Sequence, residues 1–182
     1  MMHMLTLINV GMADAALAAW DSKYFYKIWR PVTAIRESDV GTGPSNLGDG
    51  NSSTIGNPAW KPLGAPASNL SSGIPFSPPF PGYVSGHGTF GGTIFSMLRR
   101  VFGKDDIPFT FVSDEFNGIT KDSQGNVRPY KPRTFTGFSQ AEEENGQSRI
   151  YLGIHFNQDK TEAIKMGRKV GDYVYDHLYQ PI

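Results

Sequence analysis

The chain has no cysteine among its 182 residues. That excludes disulfides, thiolate metal sites and a cysteine nucleophile, and leaves the redox compartment open. It also lacks net charge: 17 Lys and Arg balance 17 Asp and Glu, so no overall field draws it to nucleic acid or to an anionic membrane. Any anion must then be held by basic residues gathered locally. No apolar run approaches the roughly 20 residues that a membrane-spanning helix needs. The longest candidate, residues 13–20, is short and contains Asp14. At the N-terminus no basic segment leads into an apolar stretch and a small-residue cleavage site, so no signal peptide is expected. The sequence begins abruptly, inside what reads as a helix.

What is present is enough for one mainly α domain with a sizeable core. Over residues 5–29 apolar side chains recur at helical spacing, at Leu5, Ile8, Met12, Ala16, Tyr24, Phe25 and Ile28, and Pro31 is expected to end that helix at Arg30. Residues 37–81 are rich in Gly, Pro, Ser and Asn without periodicity, and read as a surface excursion that folds over a site. A second helix is expected from Ser85 to about Phe102, stopped by Gly103. Residues 105–137 read as loop with a small hairpin, 109–112 against 127–130. Ser139 followed by Glu142 is a capping-box signal for a third helix through Ile154, and Asp159 followed by Glu162 a similar signal for a fourth to Leu178. The expected architecture is a helical bundle of about four main helices with two long loops and a small hairpin.

Three groups of residues carry chemistry. Lys23 and Arg30 stand seven apart, two helical turns, so both cations can face one target; they can equally be two solvated charges on an amphipathic helix. Ser85-Gly86-His87 opens a helix after the Pro-rich segment Pro78–Gly82. This puts free backbone N–H groups, a hydroxyl, a glycine that permits close approach and an imidazole at one spot suited to an oxyanion. The alternative is an ordinary N-cap serine with an incidental histidine. Arg149 precedes His155, which is followed one helical turn later by Asp159. A carboxylate there can accept the Nδ1 proton and leave Nε2 free as nucleophile or metal ligand; Asp159 can also be merely the cap of the last helix. Arg149 and His155 lie roughly 120° apart on an ideal helix. They converge on an anion between them, or if His155 sits at a frayed end, which Gly153 favours.

In order and spacing these read Lys-x6-Arg-Pro, Ser-Gly-His and Ser-Arg-x5-His-x3-Asp. The combination resembles the three-part signature of the vanadium haloperoxidase and type 2 phosphatidic acid phosphatase superfamily, over residues 14–159. Val84 stands where the family usually has proline, and the helices that family members carry before the Lys-containing one are not represented. The resemblance implies an anion site of Lys23, Arg30, Ser85, Gly86, His87, Arg149 and His155. For a phosphatase it implies attack by His155 on phosphorus, a phosphohistidine, and His87 as acid and then base. For a haloperoxidase it implies vanadate bonded to His155, His87 managing the proton of peroxide, and Lys23 polarising the bound peroxide for halide attack.

The stretches around Trp20-Asp-Ser-Lys23, Trp29–Arg36 and Pro78–Tyr83 look like the soluble chloroperoxidase-type enzymes, in which aromatics matching Trp20 and Phe80 line the halide side. As plain aromatics they would be core packing. The expected reaction is oxidation of halide by hydrogen peroxide at a His-bound vanadate, with a small organic acceptor. A soluble acid phosphatase acting on a phosphate ester is the alternative, and a truncated domain that binds phosphate or nothing useful is the third. By resemblance alone the setting is secreted or periplasmic. Missing helices imply uncovered apolar faces, hence a homo-oligomer or association with a chain that supplies those helices.

Overall fold

The computed structural model describes residues 2–64 and 76–178. Among the described residues four long helices form a bundle: α1 (Met2–Tyr26), α3 (Gly86–Phe102), α4 (Phe138–Tyr151) and α5 (Asn157–His177), accompanied by a short helix, α2 (Pro31–Arg36), and a 3-10 turn at Asp114–Phe116. The mainly helical reading holds. Among the described residues no helix is long and apolar enough to cross a membrane.

The core follows from the apolar stripes. Leu7 of α1, Met97 of α3 and Val174 of α5 close one end of the bundle, and Ala19, Val84 and Ala163 the other. Full burial of a side chain such as Met97 contributes about 1.5–3 kcal/mol. Between the two clusters α3 and α5 run almost backbone to backbone. A Cβ at Gly167 would stand 2.1 Å from the Thr89 carbonyl oxygen and one at Gly92 would stand 2.5 Å from that of Ile164. Only glycine allows this spacing. Thr93 Oγ1 then donates across the seam to the Gly167 carbonyl at 2.9 Å. The seam ends at the Ser85 N–H, which donates to the Asp159 carbonyl at 3.1 Å. The close approach of two helices thus joins two separate sequence motifs.

Several element boundaries differ from the sequence reading. α1 ends at Tyr26 rather than near Trp29, and Pro31 opens α2 instead of terminating α1. Proline at the first helical position is favourable because its missing N–H would be unpaired there anyway. α4 begins at Phe138 behind Gly137, so Ser139 is not its cap; the Ser139 N–H and hydroxyl both donate to Asp105 Oδ1, at 2.9 and 2.8 Å. Glu142 does not reach back to the helix start. It is buried and takes charge-assisted bonds from Arg99, at 3.1 Å, and from Arg168. α4 stops at Tyr151, before Ile154, and α5 starts at Asn157, two residues ahead of Asp159.

The hairpin exists with a different partner: β1 (Phe109–Phe111) pairs with β2 (Arg133–Phe135), Phe109 opposite Phe135. Phe135 is buried and its ring lies 5.2 Å from that of Phe109. Val127 and Tyr130 are exposed and form only isolated bridges with Lys121 and Asn117. Burial of the aromatic pair decides the register.

Candidate oxyanion site

Lys23 and Arg30 reach one place by a route other than a shared helical face. Lys23 is in the last turn of α1; the backbone then turns through Lys27 at φ 52°, and Arg30 is extended at φ −94°, ψ 163°. Proline at position 31 accounts for that extended geometry. Both side chains converge on the Pro-rich segment. Arg30 Nε donates to the Phe80 carbonyl at 2.8 Å. The Lys23 ammonium donates to the carbonyls of Pro81 (3.0 Å), Gly82 (2.9 Å) and Val84. A segment with three prolines has more carbonyls than N–H donors, and these two buried cations supply the deficit. All three N–H bonds of Lys23, the residue expected to face an anion, go to backbone carbonyls.

The Ser-Gly-His segment caps α3. The Ser85 hydroxyl accepts the Gly88 N–H at 3.3 Å, which leaves its own proton to donate. The N–H groups of Gly86 and His87 precede the first helical hydrogen bond, from Thr89 N to Ser85 O, and have no intrahelical acceptor. A Cβ at Gly86 would come within 3.1 Å of the Trp20 ring, so the indole lies directly over this turn.

His155 lies in the α4–α5 turn, outside both helices, because Leu152 caps α4 and Gly153 adopts the left-handed conformation at φ 69°. Its Nδ1 stands 3.0 Å from Asp159 Oδ2, and its Nε2 3.2 Å from Arg30 Nη1. Arg30 Nη1 also donates to the Ile154 carbonyl at 2.8 Å. Asp159 is not the N-cap of α5, which is Phe156; it is the third residue of the helix, and the same Oδ2 accepts the Phe156 N–H at 3.0 Å. A carboxylate on one side and a guanidinium donor on the other fix the neutral tautomer with its proton on Nδ1.

Charge dominates the pocket. Burial pushes Lys23 down to about 7, helped by Arg30 and opposed by Asp159. Arg30 is lowered to about 10, first by burial, and burial also lowers Arg149. His155 falls to about 4, burial outweighing the Asp159 bond that raises it. His87 is likewise lowered to about 4, by desolvation and then by Arg149, His155 and Lys23. His87 is the exposed member of the set, so water screens part of that shift. Among the described residues the Arg149 Nε is buried without a hydrogen-bond partner, and a buried unpaired donor costs about 1–3 kcal/mol. Three cations, an orphaned guanidinium N–H and two free helix N–H groups form a place for an anion. They repel a bare metal cation, so a metal would have to arrive as an oxyanion.

Trp20 and Phe80 form the aromatic wall, with ring centroids 5.3 Å apart. The Lys23 Nζ stands 5.7 Å from the first and 5.3 Å from the second, and the Arg30 guanidinium 4.9 Å from Phe80. From the described part of the long excursion, Trp60 packs against Gly153, and Gly64 donates to the Leu152 carbonyl at 2.9 Å.

The sequence reading missed the carbonyls of residues 80–84 as the partners of Lys23 and Arg30, for which the proline content was the available signal. It also missed Asn145, whose amide donates to the His87 carbonyl at 2.8 Å; one polar residue on a helix gives no such signal.

The fold is a helical bundle in which Lys23, Arg30, His87, Arg149 and His155 are close enough to perturb one another's charge. Residues 3–182 match the family model of the VCPO second helical-bundle domain, and the chain belongs to that family. It is 35% identical over 185 residues to the vanadium chloroperoxidase of Curvularia inaequalis, covering 88% of this chain and 28% of that protein. Among solved structures it resembles the first bacterial vanadium-dependent iodoperoxidase, with a TM-score of 0.65 and 30% identity over 97% of this chain and 33% of the other. The holo-type bacterial vanadium-dependent chloroperoxidase shares the fold, with a TM-score of 0.65 at 20% identity over 93% of this chain and 34% of the other. The chain thus spans about a third of the length of these relatives.

Proposed function

We propose that this domain holds vanadate at His155 and supports oxidation of halide by hydrogen peroxide. The observation that carries the proposal is His155 itself: a neutral imidazole with Nδ1 tied to Asp159 and its Nε2 lone pair facing Arg30, beside the unpartnered Arg149 Nε. That donor set fits vanadate, an oxyanion that can also bond to one nitrogen. When bound, vanadate supplies a Lewis-acidic centre at which peroxide is activated toward halide.

The residues of this chain supply the rest. Asp159 keeps the His155 proton on Nδ1, so that Nε2 is the ligand atom. Arg30 and Arg149 would neutralise oxyanion charge, and the N–H groups of Gly86 and His87, with the Ser85 hydroxyl, would donate to its oxygens. Lys23 holds residues 81–84 in place and adds positive charge; an incoming anion raises its pKa from about 7 and favours its protonated form. His87, open to solvent and neutral at neutral pH, takes the proton that peroxide releases on binding. Trp20 and Phe80 present an apolar wall beside these groups, which lowers the cost of stripping water from a halide.

The same donors suit phosphate, and a phosphatase acting through phosphohistidine would use His155 and His87 in the roles given above. The Trp20–Phe80 wall favours the haloperoxidase, since a phosphatase needs a mouth that admits a polar leaving group and water. The test is halogenation of a phenolic dye by vanadate-loaded protein with peroxide and bromide, from acidic to neutral pH. Fully loaded protein that gives no halogenation, while the apo form turns over phosphate esters briskly, would replace this reading with the phosphatase.

A further inference from the structure

A second concavity opens beside the oxyanion pocket, with a volume of about 410 Å³, within the range of small-molecule sites. Its walls are Phe90, Ile94 and Phe95 on one face of α3 and Phe109, Phe111 and Phe135 on the two strands. These rings are braced from behind by Phe138, whose centroid lies 6.3 Å from Phe95 and 6.0 Å from Phe109. The wall is therefore preformed rather than a loose surface patch. His87 lines the cleft together with Ser148, the neighbour of Arg149, so the cleft and the residues just described share the His87 side chain. Asn145 sits at that junction, where Gly91 makes room for it: a Cβ on Gly91 would stand 2.4 Å from the Asn145 amide nitrogen.

The polar groups on the wall decide what it can hold. Arg133 is bound at both Nε and Nη2 by Glu144, at 2.9 and 2.7 Å, so the one cation lining the cleft is neutralised by its partner. Asn145 uses its NH2 on the His87 carbonyl, which leaves its amide oxygen as an acceptor. An aromatic trough with an acceptor and an imidazole at its inner end, and no uncompensated charge, suits a flat neutral ring bearing a hydroxyl.

Resting on the haloperoxidase reading, we propose that this cleft seats the organic acceptor, a neutral electron-rich arene of the phenol or naphthol class, with its hydroxyl toward Asn145 and His87. An arene held there lies next to the place where a hypohalous species is released. A ring carbon bonds to the halogen as the oxygen–halogen bond breaks, hydroxide leaves with the electron pair, and the proton lost from that carbon completes water.

The test is direct binding of 2-naphthol, followed by saturation-transfer NMR and calorimetry without vanadate, peroxide or halide. Two variants are compared with wild type: Phe111→Ala, which removes a half-exposed wall residue, and Ile94→Trp, which fills the trough. Unchanged phosphate affinity in both verifies that the fold and the anion pocket are intact. The expected result is saturable binding by wild type, weakened roughly tenfold or more in each variant. Absence of saturable binding by wild type, or equal binding by all three proteins, overturns the proposal. So does a self-associated state that shuts the cleft and is dissolved by both substitutions. Because no turnover is involved, the two readings fail separately. Halogenation without naphthol binding removes the cleft and keeps the enzyme; naphthol binding without halogenation removes the enzyme and with it the acceptor role.

Discussion

Arg30 Nη1 faces His155 Nε2 at 3.2 Å, so a guanidinium proton is directed at the lone pair that a bound vanadate would need. The arrangement keeps Nε2 unprotonated, and an arriving vanadate would require Arg30 to shift its donor from nitrogen to an oxyanion oxygen. His155→Ala is expected to abolish tight vanadate binding, because the proposed protein–vanadium bond would be lost. His87→Ala is expected to retain vanadate and to slow turnover by about 10²–10⁴-fold, as for a lost general acid–base. Equilibrium dialysis with steady-state kinetics checks both, and equal vanadate affinity in wild type and His155→Ala contradicts the assignment.

Asp159 works on two groups at once, the His155 ring and the Phe156 N–H. Asp159→Asn keeps the shape and removes the charge. Loss of such a supporting carboxylate costs about 10–100-fold in metal affinity, and the variant is expected to lose vanadate affinity by that factor while α5 stays folded. A chemical-shift measurement on the His155 ring nitrogens should show the fixed tautomer giving way to a mixture. An unchanged tautomer with unchanged affinity would leave Asp159 only its capping role.

Among the described residues Arg149 carries a buried N–H without an acceptor, a cost that an anion bound there would relieve. Arg149→Met is expected to raise the melting temperature in anion-free buffer, by roughly 2–4 °C for each kcal/mol relieved. The same substitution should cancel the stabilisation that phosphate or vanadate gives the wild type. Calorimetry with and without anion reads both effects; a less stable variant that still gains stability from anion would contradict the role.

The pH dependence follows from the shifts. Lys23 is lowered to about 7 from 10.5, so between those values the unfolded chain binds more protons and the contribution of Lys23 to stability rises with pH. His87 and His155 are lowered from 6.5 to about 4, so stability is lost as pH falls through that window. An anion reverses the Lys23 shift. Phosphate binding above pH 7 is expected to take up protons, read as a buffer-dependent enthalpy, and Lys23→Met is expected to remove the uptake. Uptake identical in the two proteins would place the coupled proton elsewhere.

Leu17, Tyr24 and Phe25 on α1 are 72%, 56% and 76% exposed, a larger apolar display than soluble monomers usually keep. Sedimentation is expected to show self-association, or association with the polypeptide that supplies the further helices of the longer relatives. Phe25→Asp is expected to weaken it. A well-behaved monomer at micromolar concentration contradicts the expectation.

Much of this was legible in the sequence, for physical reasons that also mark where legibility ends. The order and spacing of Lys23, Arg30, Ser85, Gly86, His87, Arg149 and His155 pointed to one pocket; the α3–α5 seam brings the Ser85 and Asp159 segments together, and Lys23 and Arg30 join them through the carbonyls of residues 80–84. The placement of Arg30 was read wrongly, because Pro31 was taken as the end of one helix when it begins another. The capping signal at Ser139 and Glu142 was outcompeted by Asp105, Arg99 and Arg168, all distant in sequence. β2 was misplaced because Val127 and Tyr130 alternate plausibly but have nothing to pack against, whereas Phe135 meets Phe109. The commitment of Lys23 to backbone carbonyls carries no side-chain pattern at all.

The most direct test is a crystal of this chain soaked in vanadate. The account expects density for a single vanadium bonded to His155 Nε2, with Arg30 turned from nitrogen to an oxyanion oxygen. Arg149 Nε, Ser85 Oγ and the N–H groups of Gly86 and His87 should lie within hydrogen-bonding distance of the other oxygens. A fully soaked crystal with no vanadium at His155, or with vanadate bound away from it while Arg30 keeps its bond to Nε2, would contradict the account.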